Sequence, residues 1–487
     1  MGGGAFSRGA RLAGHNRRSL KGRDAAVNLP ECSALRWARR GVLALACLVA
    51  GPAMAWSNHA LCTWPALSVL SEVAQAVPVQ AESLETFLSA EAGALVPVLA
   101  QEEQWARNHV PTYPPRPETL AFKADGAAPA ELRRRFLAAL RINPESRLTL
   151  HLQVLPGQSA GGRPSVPEST VTTLERNAET RSNTYVGLRA GEAVAVLDVV
   201  TTASDEPDHG LDIGLWQDSG TPYGRVYGFG KQPFGANPAI EFASQAPFHI
   251  GYFHEAAIVY KAAPFLLRTY PEYRIHLYET LARHAFASGH PYWGWRFAGW
   301  ALHYIQDMTQ PYHARVLPGV SVPAMLWINT LDLAGVHGPK ERAITYVTNR
   351  HLAIENYQLG RLRGDWLRHD FDDAPLLALK DTARDGAVHY TDAAPRTTIT
   401  QESAAYADAL DKTIERYLPA KYTSDPDYVF GVTEADVDIR AVVAKSGAAA
   451  QAAMTQALVR LLGNFGRHTR SFVRALREPA QVEPVRR

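Results

Sequence analysis

The sequence predicts a mainly α fold that carries a partly β or irregular insertion. Three observations lead there. Apolar residues recur at helical spacing over most of the chain from residue 56 onward. Strand-like patterning is confined to one middle stretch, where Leu148-Thr-Leu-His-Leu-Gln-Val154 alternates and Ala193-Val-Ala-Val-Leu-Asp-Val199 is a short Val-rich run. The most apolar helical stretch, Trp293-Gly-Trp-Arg-Phe-Ala-Gly-Trp-Ala-Leu302, leads directly into His303 and Asp307. A helix apolar nearly all round is a buried one, so the fold is expected to be packed around these two polar residues.

The elements follow in chain order. Residues 1–55 are read as an export leader. Residues 1–40 hold nine Lys/Arg against two Asp/Glu, or +7, residues 42–50 are apolar, and Ala53-Met54-Ala55 is an A-x-A cleavage pattern. Cleavage after Ala55 is favoured over a twin-arginine signal at Arg39-Arg40 or lipidation at Cys47. A secreted or periplasmic location is expected. The chain's formal charge of +2 becomes −5 beyond the leader, which disfavours broad electrostatic binding of nucleic acid. No later apolar run reaches the about 20 residues a spanning helix needs, so no transmembrane segment is expected in the mature chain.

Residues 56–107 read as the helical beginning of the main domain. Residues 108–118, with Pro111, Pro114, Pro115 and Pro117, read as a loop, and 129–141 as a helix. Residues 108–204 together form the expected insertion, with two strands and a Gly/Ser/Pro loop at 156–167. Residues 205–370 are expected to hold the functional core. Within them 205–248 looks irregular, and 256–367 looks helical with turns near Pro291, Pro311 and Pro318. Residues 371–487 read as a C-terminal helical extension, with amphipathic helices at 399–417 and 434–478.

Of three cysteines only Cys62 lies beyond residue 55, so neither a disulfide framework nor a cysteine zinc cluster is available. A metal would be held by His and carboxylate, and sixteen histidines remain. Ligands four apart on a helix share one face and can reach one ion. His303 and Asp307 are so spaced, as are His351 and Glu355. Pro311 ends the first helix, and a turn there can return His313 to the same site. One such pair is commonly a solvated surface pair. Two pairs and His313 within some fifty residues of apolar helix favour ligation. An ionised Asp inside a buried helix is costly unless paired or metal-bound, which favours Asp307 as a ligand. If cleavage follows Ala55, Trp56 supplies a free amino group and a carbonyl, with His59 nearby.

The pattern His-Tyr-x-x-Asp-x-x-x-Pro-x-His-Ala at 303–314 resembles the signature of the bacterial zinc-dependent phospholipases C. The related single-strand-specific nucleases share it in outline. The resemblance implies a multi-helix domain holding three zinc ions. It implies metal ligation by Trp56, His59, His303, Asp307, His313, His351 and Glu355, with Asp307 bridging two ions. Glu355 leans toward the phospholipases, because the nucleases place Asp there. Two further ligands are implied upstream: an Asp, assigned to Asp208 with Asp205 as the alternative, and a His, assigned to His249 with His254 as the alternative. Asp208 would also act as the catalytic base. The expected function is zinc-dependent hydrolysis of a phospholipid or another phosphodiester. A single-strand nuclease and a non-catalytic zinc-binding surface protein are the competing readings.

Overall fold

Apolar spacing at three and four residues becomes helix along most of the chain. The computed structural model describes residues 58–174, 183–234, 241–434 and 436–478. It is 61% helix and 4% strand, which makes the fold mainly α.

Near the start lie α1 (Ala60–Ser68) and the long α2 (Leu84–His109). The Ser83 hydroxyl opens α2 by accepting from the Thr86 amide at 3.1 Å, satisfying one of the donors a helix start leaves over. After the proline-rich loop comes α3 (Pro129–Leu140), which stops where Arg141 takes φ +50°. Two small antiparallel sheets follow from β1 (Val79–Gln80), β2 (His151–Val154), β3 (Ser165–Val166), β4 (Thr184–Gly187) and β5 (Ala193–Val194). One has the order β2-β4-β3, with His151 opposite Gly187 and Ser165 opposite Val186. The other pairs β1 with β5, Val79 opposite Val194.

The expected strand at 193–199 is overturned in its second half. Only Ala193 and Val194 are strand, and Val196–Ala203 is a helix, α4. Val196, Leu197, Val199, Val200 and Ala203 are all buried. Their spacing places them on the helix faces packed into the interior. Val has a preference for strands, but that preference is weak against packing. Within the stretch 205–248, expected to be irregular, the described residues form a 3-10 turn at Glu206–His209, a short helix at Pro222–Val226 and a regular helix, α5 (Glu241–His249).

Further helices are α6 (Ala257–Ala262), α7 (Pro271–Ala287), α8 (Pro291–Asp307), α9 (Pro311–Ala314), α10 (Val322–Leu333), α11 (Gly338–Arg368), α12 (Ala374–Lys380), α13 (Thr400–Tyr417) and α14 (Ala448–Arg477), with short ones at Ala420–Thr423 and Ile439–Lys445. Three of these, α7, α8 and α9, begin with Pro, whose fixed φ suits the first helical position. Every residue of α8 from Tyr292 to Asp307 is buried. No helix of the described residues is long and apolar enough to cross a membrane.

Two large apolar clusters divide the interior. One gathers α7 and α8 with α2, α3 and α4, through residues such as Phe87, Phe136, Val200, Tyr278 and Trp300. The other gathers α1, α11, α13 and the first half of α14, through Leu61, Trp366, Leu410 and Leu461. Helix α14 joins them, since Phe465 belongs to the second cluster and Phe472 to the first.

The packing of α4 on α8 depends on Gly299. A β-carbon there would lie 2.4 Å from Ala203 Cβ and 2.9 Å from the Val200 carbonyl oxygen. Gly299→Ala would gain about 1 kcal/mol of helix propensity. Forcing backbone and methyl groups apart in a close-packed core costs about 1–3 kcal/mol. The expected result is a net loss of about 1 kcal/mol, read as a lower denaturant midpoint. An unchanged or raised midpoint would contradict this packing.

Candidate metal centre

Helix α8 carries His303 and Asp307 on one buried face. The chain then turns sharply: the Gln310 amide donates to the Asp307 carbonyl at 2.9 Å, and the His313 amide to the Gln310 carbonyl at 2.9 Å. That turn, with α9 after it, brings His313 Nδ1 to 3.8 Å from Asp307 Oδ1. His351 and Glu355 lie one turn apart on α11, Nε2 to Oε1 at 2.7 Å, and Glu355 Oε1 is 3.9 Å from His313 Nε2.

Two further histidines approach from elsewhere. His249, at the end of α5, points Nδ1 at Asp307 Oδ2, 2.8 Å away. His59, just ahead of α1, places Nε2 3.4 Å from Asp307 Oδ1. Its backbone is pinned on both sides. Asn58 adopts φ +63° and accepts from Gln153 of β2 at 3.2 Å, while the Ala60 amide donates to Asp205 at 3.2 Å. Asp208 sits in the turn after α4, with Oδ1 3.6 Å from His303 Nε2 and 3.1 Å from the Gln245 amide nitrogen.

Three groups of ligand-capable atoms result: His59, His303 and Asp307; Asp208, His249 and His303; His313, His351 and Glu355. Within each group the atoms lie within 4.8 Å of one another. The first two groups share His303, and Asp307 faces members of all three. The expected residues His59, Asp208, His249, His303, Asp307, His313, His351 and Glu355 are therefore brought together. Trp56 lies outside the described residues, as does the leader. The two alternatives stand apart from the cluster. Asp205 is committed to the Ala60 amide and to Gln153 at 2.7 Å, and His254 Nε2 meets the Thr400 hydroxyl at 3.0 Å.

The neighbours fix which nitrogen of each ring is available. A carbonyl or amide oxygen can only accept, so it holds a proton on the ring nitrogen it faces. His303 Nδ1 donates to the Ser204 carbonyl at 2.8 Å, which turns Nε2 toward Asp208, Asp307 and His249. His59 Nδ1 donates to Gln306 Oε1 at 2.8 Å, which turns Nε2 toward Asp307. Gln306 is held in turn, donating to Thr63 at 3.0 Å and to Thr469 at 3.1 Å. His249 Nε2 faces Asp212 at 3.4 Å, and Asp212 accepts from Arg274 and Tyr304, each at 2.6 Å.

A cation suits this arrangement. His59 Nε2 and Asp307 Oδ1 are fully buried, and neither makes a hydrogen bond among the described residues. A buried polar atom without a partner costs about 1–3 kcal/mol, more when charged. An ion between them would satisfy both. The donor set of imidazole nitrogens and carboxylate oxygens, with no thiolate, is one that zinc accepts.

Electrostatics couple the cluster. Burial opposes charge on His59 and His249, but Asp307 beside His59, and Asp212 with Asp307 beside His249, outweigh it and raise them to about 9 and about 10. Burial and the charge of His59 push His303 well below the ordinary histidine value. Burial pushes the Asp307 carboxyl upward, yet the surrounding histidines hold it well below the carboxylate range. Burial raises Asp208, with Asp307 and Asp205 adding to the effect against His249 and His59. Asp208 and His351 have the most accessible side chains of the described candidates, at 15% and 9%.

Gln306, Asp212, Ser204 and Thr469 were not among the expected residues. Gln306 was within reach of sequence reasoning, as a lone amide inside a buried apolar helix must find partners. Asp212, four residues after Asp208, carried a weaker signal. Thr469 carried none.

Comparison with protein-family models, with curated proteins and with solved structures finds no match.

Two outcomes test the centre. Metal binding needs unprotonated imidazole, so zinc uptake at pH 7 should displace protons from His59 and His249. Apparent affinity should rise with pH toward about 9 and about 10, where these groups lose their protons unaided. Calorimetric heats that ignore the buffer's ionisation enthalpy would contradict this. Gln306→Leu should leave His59 unoriented and weaken zinc binding by about 10–100-fold in a competitive chelator titration; wild-type affinity would remove Gln306 from the centre.

Proposed function

We propose that the chain is a zinc-dependent phosphodiesterase of the phospholipase C kind, acting after export. The observation that carries the reading is the convergence of three His/carboxylate groups around Asp307 on a helix buried from Tyr292 to its end. Ordinary structural ion pairs do not need that number of histidines around one carboxylate. The resemblance of residues 303–314 to the phospholipase C signature adds the phosphodiester preference, and Glu355 adds the lean toward a phospholipid.

The ions would be held by His59, His303 and Asp307, by Asp208 and His249, and by His313, His351 and Glu355, with Trp56 as a further ligand. Zinc, when bound, supplies positive charge against a phosphate and lowers the pKa of coordinated water. The chain's own groups do the rest. Asp208 is the base: its partly exposed carboxylate, its proton affinity raised by burial, accepts a proton from water at one oxygen. Gln245 orients that carboxylate through its 3.1 Å contact. Asp212 and Gln306 hold His249 and His59 in the ligating orientation. The apolar shell of α8 keeps bulk water from the interior side, which strengthens every charge interaction in the site. Tyr312 stacks on the His351 ring at 5.2 Å and helps to hold its orientation.

Asp307→Asn tests the reading. It removes the carboxylate that faces members of all three groups, so zinc content by elemental analysis should fall. Phosphodiesterase activity should drop by more than the ~10–100-fold that losing a ligand-orienting neighbour costs. Assays should offer both a phospholipid and single-stranded DNA. Full activity in the variant would end the proposal, and activity on DNA alone would move it to the nuclease reading.

A further inference from the structure

A cavity of about 230 Å³ abuts one end of the metal centre. Val259 and Leu266 from the α6 region, Met325 from α10 and Ile344 from α11 form its walls. Its lining is mostly apolar. Among the described residues that line it, the one Lys or Arg, Lys340, is paired with Asp332 at 2.8 Å. Tyr312 and His351 are part of its lining, and His351 Nε2 is 2.7 Å from Glu355.

Protein interiors are close-packed, and voids larger than a water molecule are few. An apolar cavity of about 150 Å³ already takes up benzene. This one is larger, it is lined for an apolar guest, and its only chemically reactive corner is a residue of the centre. The occupant must therefore be apolar along its length and bear its reacting group at the His351 end. The outer side of the wall is apolar too: α10 turns Trp327, 63% exposed, and Leu333, 72% exposed, toward solvent.

We infer that this cavity receives a single aliphatic chain of the substrate and holds the attached phosphodiester against His351. The inference rests on the phosphodiesterase reading for the identity of the head, but not for the chain. The chain is recognised by desolvation alone, so recognition is graded by length. Each buried methylene is worth about 0.8 kcal/mol, or about fourfold in binding. Binding should strengthen by that factor per carbon until the cavity fills, then level off.

The experiment uses the full zinc-loaded chain and alkyl methyl phosphates, from butyl to decyl, kept below their aggregation limit. Dissociation constants come from calorimetry and hydrolysis rates from the same samples. The expected result is a fourfold gain per methylene followed by a plateau. In Ala343→Phe, which fills space in the cavity wall, the plateau should arrive at a shorter chain. The longest homologue should bind at least about tenfold more weakly than in wild type. Binding independent of chain length in the wild type overturns the inference, whether or not the variant folds. A length dependence seen only with lipid presented in vesicles overturns it as well, because a surface and not the cavity would then read the chain. Length-dependent binding without hydrolysis upholds the cavity and sinks the phosphodiesterase reading; hydrolysis of every homologue at equal efficiency does the reverse.

Discussion

Asp307 is a carboxylate with no exposed surface, set at the end of a helix buried from Tyr292 onward. An ionised group in such a place is tolerable only if charge and hydrogen-bond donors surround it. The rest of the architecture answers that requirement. His303 comes from the same helix, His313 from the turn after it, His249 from α5 and His59 from the start of α1. Three of these rings are fastened on the side away from Asp307: His303 by Ser204, His249 by Asp212 and His59 by Gln306. The carboxylate thus organises a shell, and the shell organises the contacts between four separate stretches of chain. An apolar residue at 307 would need none of this scaffolding, and most of the buried polar groups around it would lose their purpose.

The parts that were legible in the sequence are those whose geometry is local. His303 with Asp307, and His351 with Glu355, are four apart on helices, so spacing alone puts each pair on one face. His313 was legible because Pro311 marks a turn. Asp208 and His249 were harder. They lie about forty residues apart with turns between them, and no period predicts which of two aspartates or two histidines faces inward. The structure separates them by what each is already doing: Asp205 secures the backbone at Ala60 and His254 meets Thr400, whereas Asp208 and His249 face His303 and Asp307.

Secondary structure failed in one informative place. The Val-rich run at 193–199 has the composition of a strand, yet its second half is the helix α4. The reason lies a hundred residues away, in the bare backbone of Gly299, which lets α4 settle against α8. Local preference could not report that vacancy. The same holds for Thr469, which supports Gln306 from α14 and has no signature in its own neighbourhood.

The bond network through Gln306 spans the chain more widely than any other part of the centre. It joins Thr63 and His59, near the start of the described residues, to Thr469, near their end. During synthesis α8 emerges long before α14. Until α14 arrives, Gln306 lacks one of its supports and the two apolar clusters lack the helix that bridges them. A chain cut short before α14 would therefore hold His59 less firmly, because the length of chain that steadies the centre reaches far beyond the residues that face Asp307.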